Sequence, residues 1–327
     1  MERTALHPGQ QARNPALSPA ANTRALQLSQ KSSGLLTPTR RQAARTPQTA
    51  ARCNMSKMAD EVQRNLIKAI DRDALFLPTL PEVALKIRMA AENTEISIAE
   101  LSRVIGSDTA LSARLIKVAN SPLLRANFEV SDVNTAIRRL GVNYTCNLAI
   151  GLVVEQMFHA KSEVIEHKMR EIWKQSLQVA GISYTLCHRH TNLKPDQATL
   201  AGLIHLIGIL PILTYAEEHF DLLSDPISLN HVIDNIHPII GERLLRSWDF
   251  PEPLAAVPAK FQDFTRVSRS ADYIDLVQVA TVHIHRNTNH PFSQIDIVDL
   301  PAFHQLGLNV AGGLLSAEMD EAMGMLY

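Results

Sequence analysis

Residues 77–122 read LPTLPEVALKIRMAAENTEISIAELSRVIGSDTALSARLIKVANSP, and this stretch sets the pattern of the chain. Thr79 and Ser97 each precede a glutamate by three residues, which is the spacing of a capping box and predicts two helix starts. A break at residues 106–108 ends the second helix, and Asp108 can cap a third one. The stretch therefore predicts three short, consecutive helices.

Helical spacing of apolar residues continues from Met55 almost to the end of the chain. Asn120 ends the third helix, where its amide is expected to hold a turn, and Gly141 is a plausible stop for the next helix. TLAGLIHLIGIL is apolar on all sides, as in a buried central helix. Further helices are predicted at 164–190, 228–235, 237–248, 252–262, 270–286 and 309–324. With no convincing period-two strand, the sequence predicts an all-α protein.

Charge is unevenly distributed along the chain. The net charge is −1, but residues 1–54 carry +7 and residues 55–327 carry −8. Since duplex affinity depends largely on neutralising phosphates, the acidic body is expected to bind nucleic acid poorly. Residues 1–54 have no sustained apolar period, so they are predicted either to form a disordered tail or to precede the true start at Met55.

Cysteine and apolar patterning indicate the compartment. Cys53, Cys146 and Cys187 are widely spaced and form no CxxC pair, which argues against a disulfide scaffold and a Cys-based zinc site. No uninterrupted apolar stretch reaches the roughly 18 residues of a membrane span, and His205 and Pro211 interrupt the longest one. We therefore expect a cytoplasmic protein that does not bind a membrane.

Three stretches, in this order and at this spacing, resemble the HDOD domain, a bacterial signalling module related to HD-type phosphohydrolases. They are residues 77–122, TLAGLIHLIGILPIL at 199–213 and IIGERLLRSWDFPEPL at 239–254. The first is the most specific, and the resemblance extends over about residues 70–325. It implies an N-terminal helical subdomain, residues 55–158, packed on a degenerate HD-hydrolase-like helical subdomain, residues 159–327.

The resemblance also implies where a hydrolytic relative would hold a metal. Such enzymes use a His, a His-Asp pair on a buried helix and a distal Asp, because a catalytic cation needs several converging N or O donors. The corresponding positions here are Gln175, His205, Leu206 and Thr281. A glutamine is a weak ligand and a leucine has no donor, so we expect no metal, no cofactor and no catalytic residue. Asp275 stays open as a distal acid in another register.

His205 alone is also typical of a core histidine that is satisfied by one or two hydrogen bonds, with a remnant of a ligand site as the alternative. Gly202 and Gly208, on either side, are expected to permit close helix packing rather than to hold a phosphate.

Other histidines cluster loosely at His188, His190, His283, His285 and His290. A step of two residues places the members of a pair roughly 200° apart around a helix, so neither pair chelates a metal by itself. They are predicted to be solvated surface side chains.

The main prediction is a non-catalytic bacterial signal-transduction module that acts through protein–protein interaction. One alternative is a residual metal-dependent phosphohydrolase of the HD superfamily that depends on His205. A second is a nucleic-acid-binding regulator, because residues 97–120 have the lengths of a helix–turn–helix with Arg114 and Lys117 near the groove. Ser112, which stands where such motifs need an apolar residue, and the acidic body argue against specific DNA binding.

Partners are expected to act in trans, because no receiver, diguanylate cyclase or kinase domain is recognisable in the chain. The resemblance implies protein partners in bacterial signalling, among them cyclic di-nucleotide or phosphorelay components. Tryptophan is enriched in interface hot spots, so Trp248 is a candidate partner contact, with a buried structural role as the alternative. Phe261 and Phe264 are candidates in the same region.

Overall fold

The computed structural model describes residues 79–93, 95–122, 124, 128–157, 160–309 and 314–323, with isolated residues between 60 and 68. Every regular element in these ranges is helical, which confirms the all-α prediction. The helices are α1 (Glu82–Glu92), α2 (Ile98–Gly106), α3 (Thr109–Ala119), α4 (Val133–Leu140), α5 (Val142–Gln156), α6 (Glu163–His190), α7 (Pro195–Ile204), α8 (Ile209–Glu217), α9 (Phe220–Leu223), α10 (Pro226–Ser247), α11 (Glu252–Ala255), α12 (Val257–Lys260), α13 (Tyr273–His285), α14 (Pro301–Gln305) and α15 (Leu314–Met323), with 3₁₀ turns at Pro291–Gln294 and Ile297–Asp299. The predicted tail, residues 1–54, lies outside the described residues.

Two of the predicted helix starts in the first stretch form as expected. The Ser97 hydroxyl accepts a hydrogen bond from the amide of Glu100 at 3.1 Å. The Asp108 carboxylate accepts one from the amide of Leu111 at 2.9 Å. Each cap satisfies an amide that has no partner within the helix, so these residues define where α2 and α3 begin.

The capping box predicted at Thr79 is wrong. Helix α1 begins at Glu82, and Pro81 is its N-cap without a side-chain hydrogen bond. Because a proline disfavours helical backbone at the residue before it, the helix cannot include Leu80.

Asn120 holds the end of α3 against the chain that follows the next loop. Its Nδ2 donates to the Val130 carbonyl at 2.7 Å, and its Oδ1 accepts from the Val130 amide at 2.8 Å. The expectation that this amide is structural is confirmed, although it fixes a ten-residue connection rather than a tight turn.

We expect Asn120→Ala to lower the free energy of unfolding by about 2 kcal/mol, because it leaves both backbone groups of Val130 without these partners. Urea denaturation would measure the change. Asn235→Ala is the matched control, since that exposed amide only donates to the His231 carbonyl within its own helix. Equal losses in the two variants would contradict the bridging role of Asn120.

One hydrophobic core runs through both predicted halves. Helix α5 packs on α1 in the first half and on α7 in the second. Ile87 and Val153 belong to the same buried cluster as Ile182 and Val277. All described residues lie within one unit, residues 46–327. The subdomain boundary at residue 158 stays a prediction. The described helices before and after it share one hydrophobic core.

The predicted central helix is instead two helices, α7 and α8, separated by a turn from His205 to Gly208. Pro211 explains the break, because it has no N–H and its ring would collide with the carbonyl four residues earlier in a continuous helix. His205 therefore caps the C-terminus of α7 rather than lying within a helix.

Two helices predicted at 228–235 and 237–248 are one continuous helix, α10, with Pro238 inside it. The proline removes one backbone hydrogen bond. Fully buried Ile236, Ile240 and Leu244 on either side show that packing maintains the helix across this gap.

The segment Pro195–Glu217, which contains α7 and α8, is the candidate membrane span found among the described residues. It has 23 residues and a mean hydropathy of 1.8 in its most apolar window. By length and composition it meets the requirement for a span, although His205 and Pro211 interrupt its apolar run. Because 89% of that window is buried inside the fold, it has the surroundings of a core element.

Gly202 and Gly208 lie at close helix contacts, as expected. A Cβ on Gly202 would lie 2.4 Å from the Cα of Ala180 on α6. A Cβ on Gly208 would lie 2.0 Å from the carbonyl oxygen of His237 and 2.5 Å from the amide nitrogen of Gly241. Both glycines therefore allow backbones to approach at distances that no side chain permits.

Candidate functional site

The four positions that the resemblance assigned to metal ligands line one cavity of about 560 Å³. Gln175 comes from α6, His205 and Leu206 from the turn after α7, and Thr281 from α13. The structure therefore brings together residues that are more than a hundred positions apart in sequence. The cavity is the candidate functional site.

His205 is the deepest polar group of the site. It is 1% exposed, and its Nδ1 lies 2.7 Å from the Gly202 carbonyl. A carbonyl only accepts, so Nδ1 carries the proton and Nε2 is an acceptor. Burial lowers the pKa of His205 to about 4, which keeps the ring neutral at neutral pH. Its edge contacts Phe261 at 5.0 Å between ring centroids, in keeping with a hydrogen-bonded core histidine.

The other three positions supply poor ligands. Leu206 has no donor atom, and Gln175 offers a neutral amide oxygen. The Thr281 hydroxyl is buried and has no hydrogen-bond partner among the described residues. A buried hydroxyl is a far weaker ligand than the carboxylate of a distal Asp.

Asp275, the alternative distal acid, lies away from the cavity. Its Oδ1 accepts from Arg266 at 2.8 Å, and its Oδ2 accepts from Ser268 at 2.9 Å and from the Asp272 amide at 3.1 Å. The carboxylate completes a capping box at the start of α13. It therefore serves the helix start, and Thr281 is the residue of α13 that faces the cavity.

Two histidines of the cavity were missed by the sequence reasoning. His237, which was not considered, is 2% exposed, and burial lowers its pKa to about 3. His285 was predicted to be solvated but is 8% exposed, with a pKa lowered by burial to about 4. Its neighbour His283 is also buried, at 3%.

The expectation of solvated side chains is therefore wrong for His283 and His285. Helix α13 is buried on nearly all sides, so histidines near its C-terminus are enclosed by the fold. The apolar run LVQVATV, which directly precedes His283, was the feature of the sequence that could have indicated their burial. His290 is half-buried, stacks on His285 at 4.0 Å and also lines the cavity. His285 and His290 therefore belong to the site, whereas His283 lies outside this cavity, with its Nε2 2.9 Å from Oδ1 of Asp320.

The residues present do not match the donor set of a divalent cation. Within the described part of the chain, no three His, Cys, Asp or Glu side chains converge as a metal site requires. His237 Nε2 is 2.9 Å from the Gln262 amide nitrogen, which can only donate, so this ring atom is already engaged. Of the four positions that the resemblance assigned to metal ligands, only His205 has a ring nitrogen to offer, and one such ligand is too few for a metal.

The aromatic side chains proposed as partner contacts are largely internal. Trp248 and Phe261 are 5% and 1% exposed, so neither is accessible to a partner in this conformation, which corrects that prediction. Phe261 instead lines the cavity, and Trp248 packs near Phe250. Phe264 is half-buried and contacts Phe292 edge to face at 5.0 Å.

The helix–turn–helix alternative concerns α2 and α3. Arg114, which it places near a DNA groove, forms an ion pair with Glu155 of α5 at 2.7 Å. Ser112 is accommodated because its hydroxyl donates to the Ile105 carbonyl at 3.2 Å. Both contacts tie α3 into the helical body.

The fold is an all-α domain whose helices enclose this cavity. The HDOD domain model matches residues 77–263, which is more than half of the chain, and the chain belongs to the HDOD domain family. A curated relative, an uncharacterised protein of Treponema pallidum (strain Nichols), is 26% identical over 192 residues. The match covers 54% of this chain and 36% of that relative, so the chain spans little more than a third of the relative's length.

Solved structures agree with the family. A candidate metal-dependent phosphohydrolase from Shewanella amazonensis SB2B is 28% identical, with a TM-score of 0.70 over 81% of this chain and 99% of that one. An HDOD domain protein of unknown function from Geobacter sulfurreducens is 20% identical, with a TM-score of 0.61 over 82% and 95%. A candidate signal transduction protein from Marinobacter aquaeolei VT8 is 23% identical, with a TM-score of 0.58 over 81% and 63%.

Proposed function

We propose that this chain is a non-catalytic signal-transduction module that acts through protein–protein contacts. The observation that supports it is the donor set of the cavity, where Leu206 and Thr281 replace carboxylates and Gln175 replaces a histidine. A phosphohydrolase of this type needs a metal to activate water, and of the four positions that would hold it only His205 supplies a strong ligand. Among the described residues, no three His, Cys, Asp or Glu side chains converge to replace the missing ligands. The helical fold is retained without these ligands, and its surface is what a protein partner would bind.

Its partners are proposed to be protein components of bacterial signalling, including those of cyclic di-nucleotide or phosphorelay systems, in the cytoplasm. Because Trp248 and Phe261 are buried, contacts with such partners must involve other faces of the domain.

A residual metal-dependent phosphohydrolase is the competing function. Two observations favour it: the Shewanella protein named as a candidate metal-dependent phosphohydrolase is 28% identical, and His205 keeps Nε2 available as a ligand. Metal-binding histidines commonly donate their other ring nitrogen to a backbone carbonyl, as His205 does.

Metal content of the full-length protein discriminates the two functions. After exchange against Mn, Fe, Zn and Mg in turn, we expect elemental mass spectrometry to find far less than one ion per chain. Phosphodiesterase activity should be equal in the wild type and in His205→Ala. The exposed His167 provides the control variant His167→Ala. One full equivalent of a metal that is retained in His167→Ala and lost in His205→Ala would overturn the proposal.

A further inference from the structure

The cavity has a buried floor and an exposed rim of different composition. The floor residues are all buried, among them His205, His237, Phe261, Thr281 and His285. The rim contains exposed Glu171, Asn230, Asp234, Thr288 and Asn289. A volume of about 560 Å³ is within the range of small-molecule sites. The site is therefore large enough for a compact organic ligand that inserts past a polar rim.

The buried floor contains no Asp, Glu, Lys or Arg side chain. Its polar side chains are His205, His237, Thr281 and His285, each less than 9% exposed. An ion without a charged partner is strongly disfavoured in such surroundings. The floor therefore suits an uncharged ligand.

The rim disfavours a phosphate. Glu171 and Asp234 contribute carboxylates, and the ammonium of Lys168 is held by the Asn230 side-chain oxygen at 2.8 Å. A phosphorylated ligand would bring its negative charge close to two acidic side chains with one lysine to compensate.

Hydrogen-bonding groups remain available toward the interior. The amide of Gln175 makes no hydrogen bond with another described residue, and His205 presents Nε2 as an acceptor. A glutamine amide combines a donor and an acceptor in one plane, which matches the donor–acceptor edge of a nucleobase.

Aromatic rings complete the wall. Phe261 lies beside His205 and His237, with ring centroids 5.0 Å and 5.8 Å away. Phe292 lies beside the stacked pair of His285 and His290. Phe and His rings are the side chains on which planar bases stack in proteins.

We infer that the cavity binds an uncharged, planar nitrogen heterocycle of nucleoside size, whose ring edge hydrogen-bonds to the Gln175 amide and to Nε2 of His205. The inference rests on the proposed function, because a resident metal would use the same nitrogen of His205. A signalling module with such a site would report the concentration of a small metabolite to its protein partner.

Calorimetric titration of the full-length chain at neutral pH tests the inference. The probes are adenosine, guanosine, cytidine and uridine, each compared with its 5′-monophosphate. We expect at least one nucleoside to bind with one-to-one stoichiometry, and about tenfold more tightly than its monophosphate, a difference of about 1.4 kcal/mol. Gln175→Ala should weaken the nucleoside about tenfold, as expected for one lost hydrogen bond.

Gln178→Ala is the matched control, because it is the same residue type on the same helix but does not line the cavity. Leu206→Phe, which narrows the cavity from another element, should also weaken the nucleoside. The inference is overturned if no nucleoside binds at about 1 mM, if a monophosphate binds more tightly, or if Gln175→Ala binds as well as Gln178→Ala. Metal content of the same sample separates the two failures: without metal only the inference falls, whereas a stoichiometric metal removes the proposed function.

Discussion

Replacing Gly208 with alanine should lower the free energy of unfolding by about 3 kcal/mol, at the upper end of what overpacking costs. The added Cβ would lie 2.0 Å from the His237 carbonyl oxygen and 2.5 Å from the Gly241 amide nitrogen. Both atoms belong to the backbone of α10, so no side-chain rotation can relieve the collision. The turn and α10 would have to separate.

Gly106→Ala is the control for this prediction, since a Cβ at Gly106 meets nothing within 4 Å. That variant should be neutral or more stable by up to about 1 kcal/mol, because alanine favours the helical backbone. Urea denaturation of the wild type and both variants measures the contrast. A Gly208→Ala protein as stable as Gly106→Ala would show that the two backbones are not in contact.

Mild acid should destabilise the protein strongly. The pKa values of His205, His237 and His285 are about 4, 3 and 4 in the fold, against about 6.5 in an unfolded chain. Between these pKa values the unfolded chain binds more protons than the folded chain. The contribution of the three histidines to the free energy of unfolding is therefore complete above about pH 6.5 and falls as the pH decreases toward 4. From pH 7 to pH 5 the expected loss is about 2 kcal/mol for each histidine.

The pH dependence is measured by urea denaturation at pH 7 and pH 5. The variants His205→Gln and His285→Gln, made separately, should each show a smaller difference between the two pH values than the wild type. His167→Gln, in which an exposed histidine on α6 is replaced, should keep the full difference. Because the readout is a difference within one variant, a change in overall stability does not obscure it. Equal differences in all variants would assign the acid sensitivity to other groups.

Local signals in the sequence were sufficient for much of the fold. Ser97 and Asp108 begin helices where their side chains can cap an amide, and Gly141 ends one with a φ of 83°. These interactions join residues that are close together in the sequence, so they can be predicted from it. Where two local rules compete, the prediction failed: the spacing from Thr79 to Glu82 matches a capping box, but Pro81 between them excludes it.

Long-range packing explains the remaining differences. The predicted break between residues 235 and 237 is absent, because buried residues on both sides of Pro238 keep α10 continuous. The aligned positions Gln175, His205, Leu206 and Thr281 could be placed through the family resemblance. His237 and His285 could not, because their role depends on which elements surround the cavity and not on any local spacing.

The turn from His205 to Gly208 has a practical consequence for mutational studies of this protein. The same four residues supply the deepest polar group of the cavity and the backbone contact with α10. A scan that scores cellular abundance or activity would therefore confound recognition with folding at these positions. Gln175 and the exposed Thr288 line the cavity from other elements, so substitutions there can change ligand preference while the domain stays intact. Redesign of specificity should begin at those two positions and leave the turn unchanged.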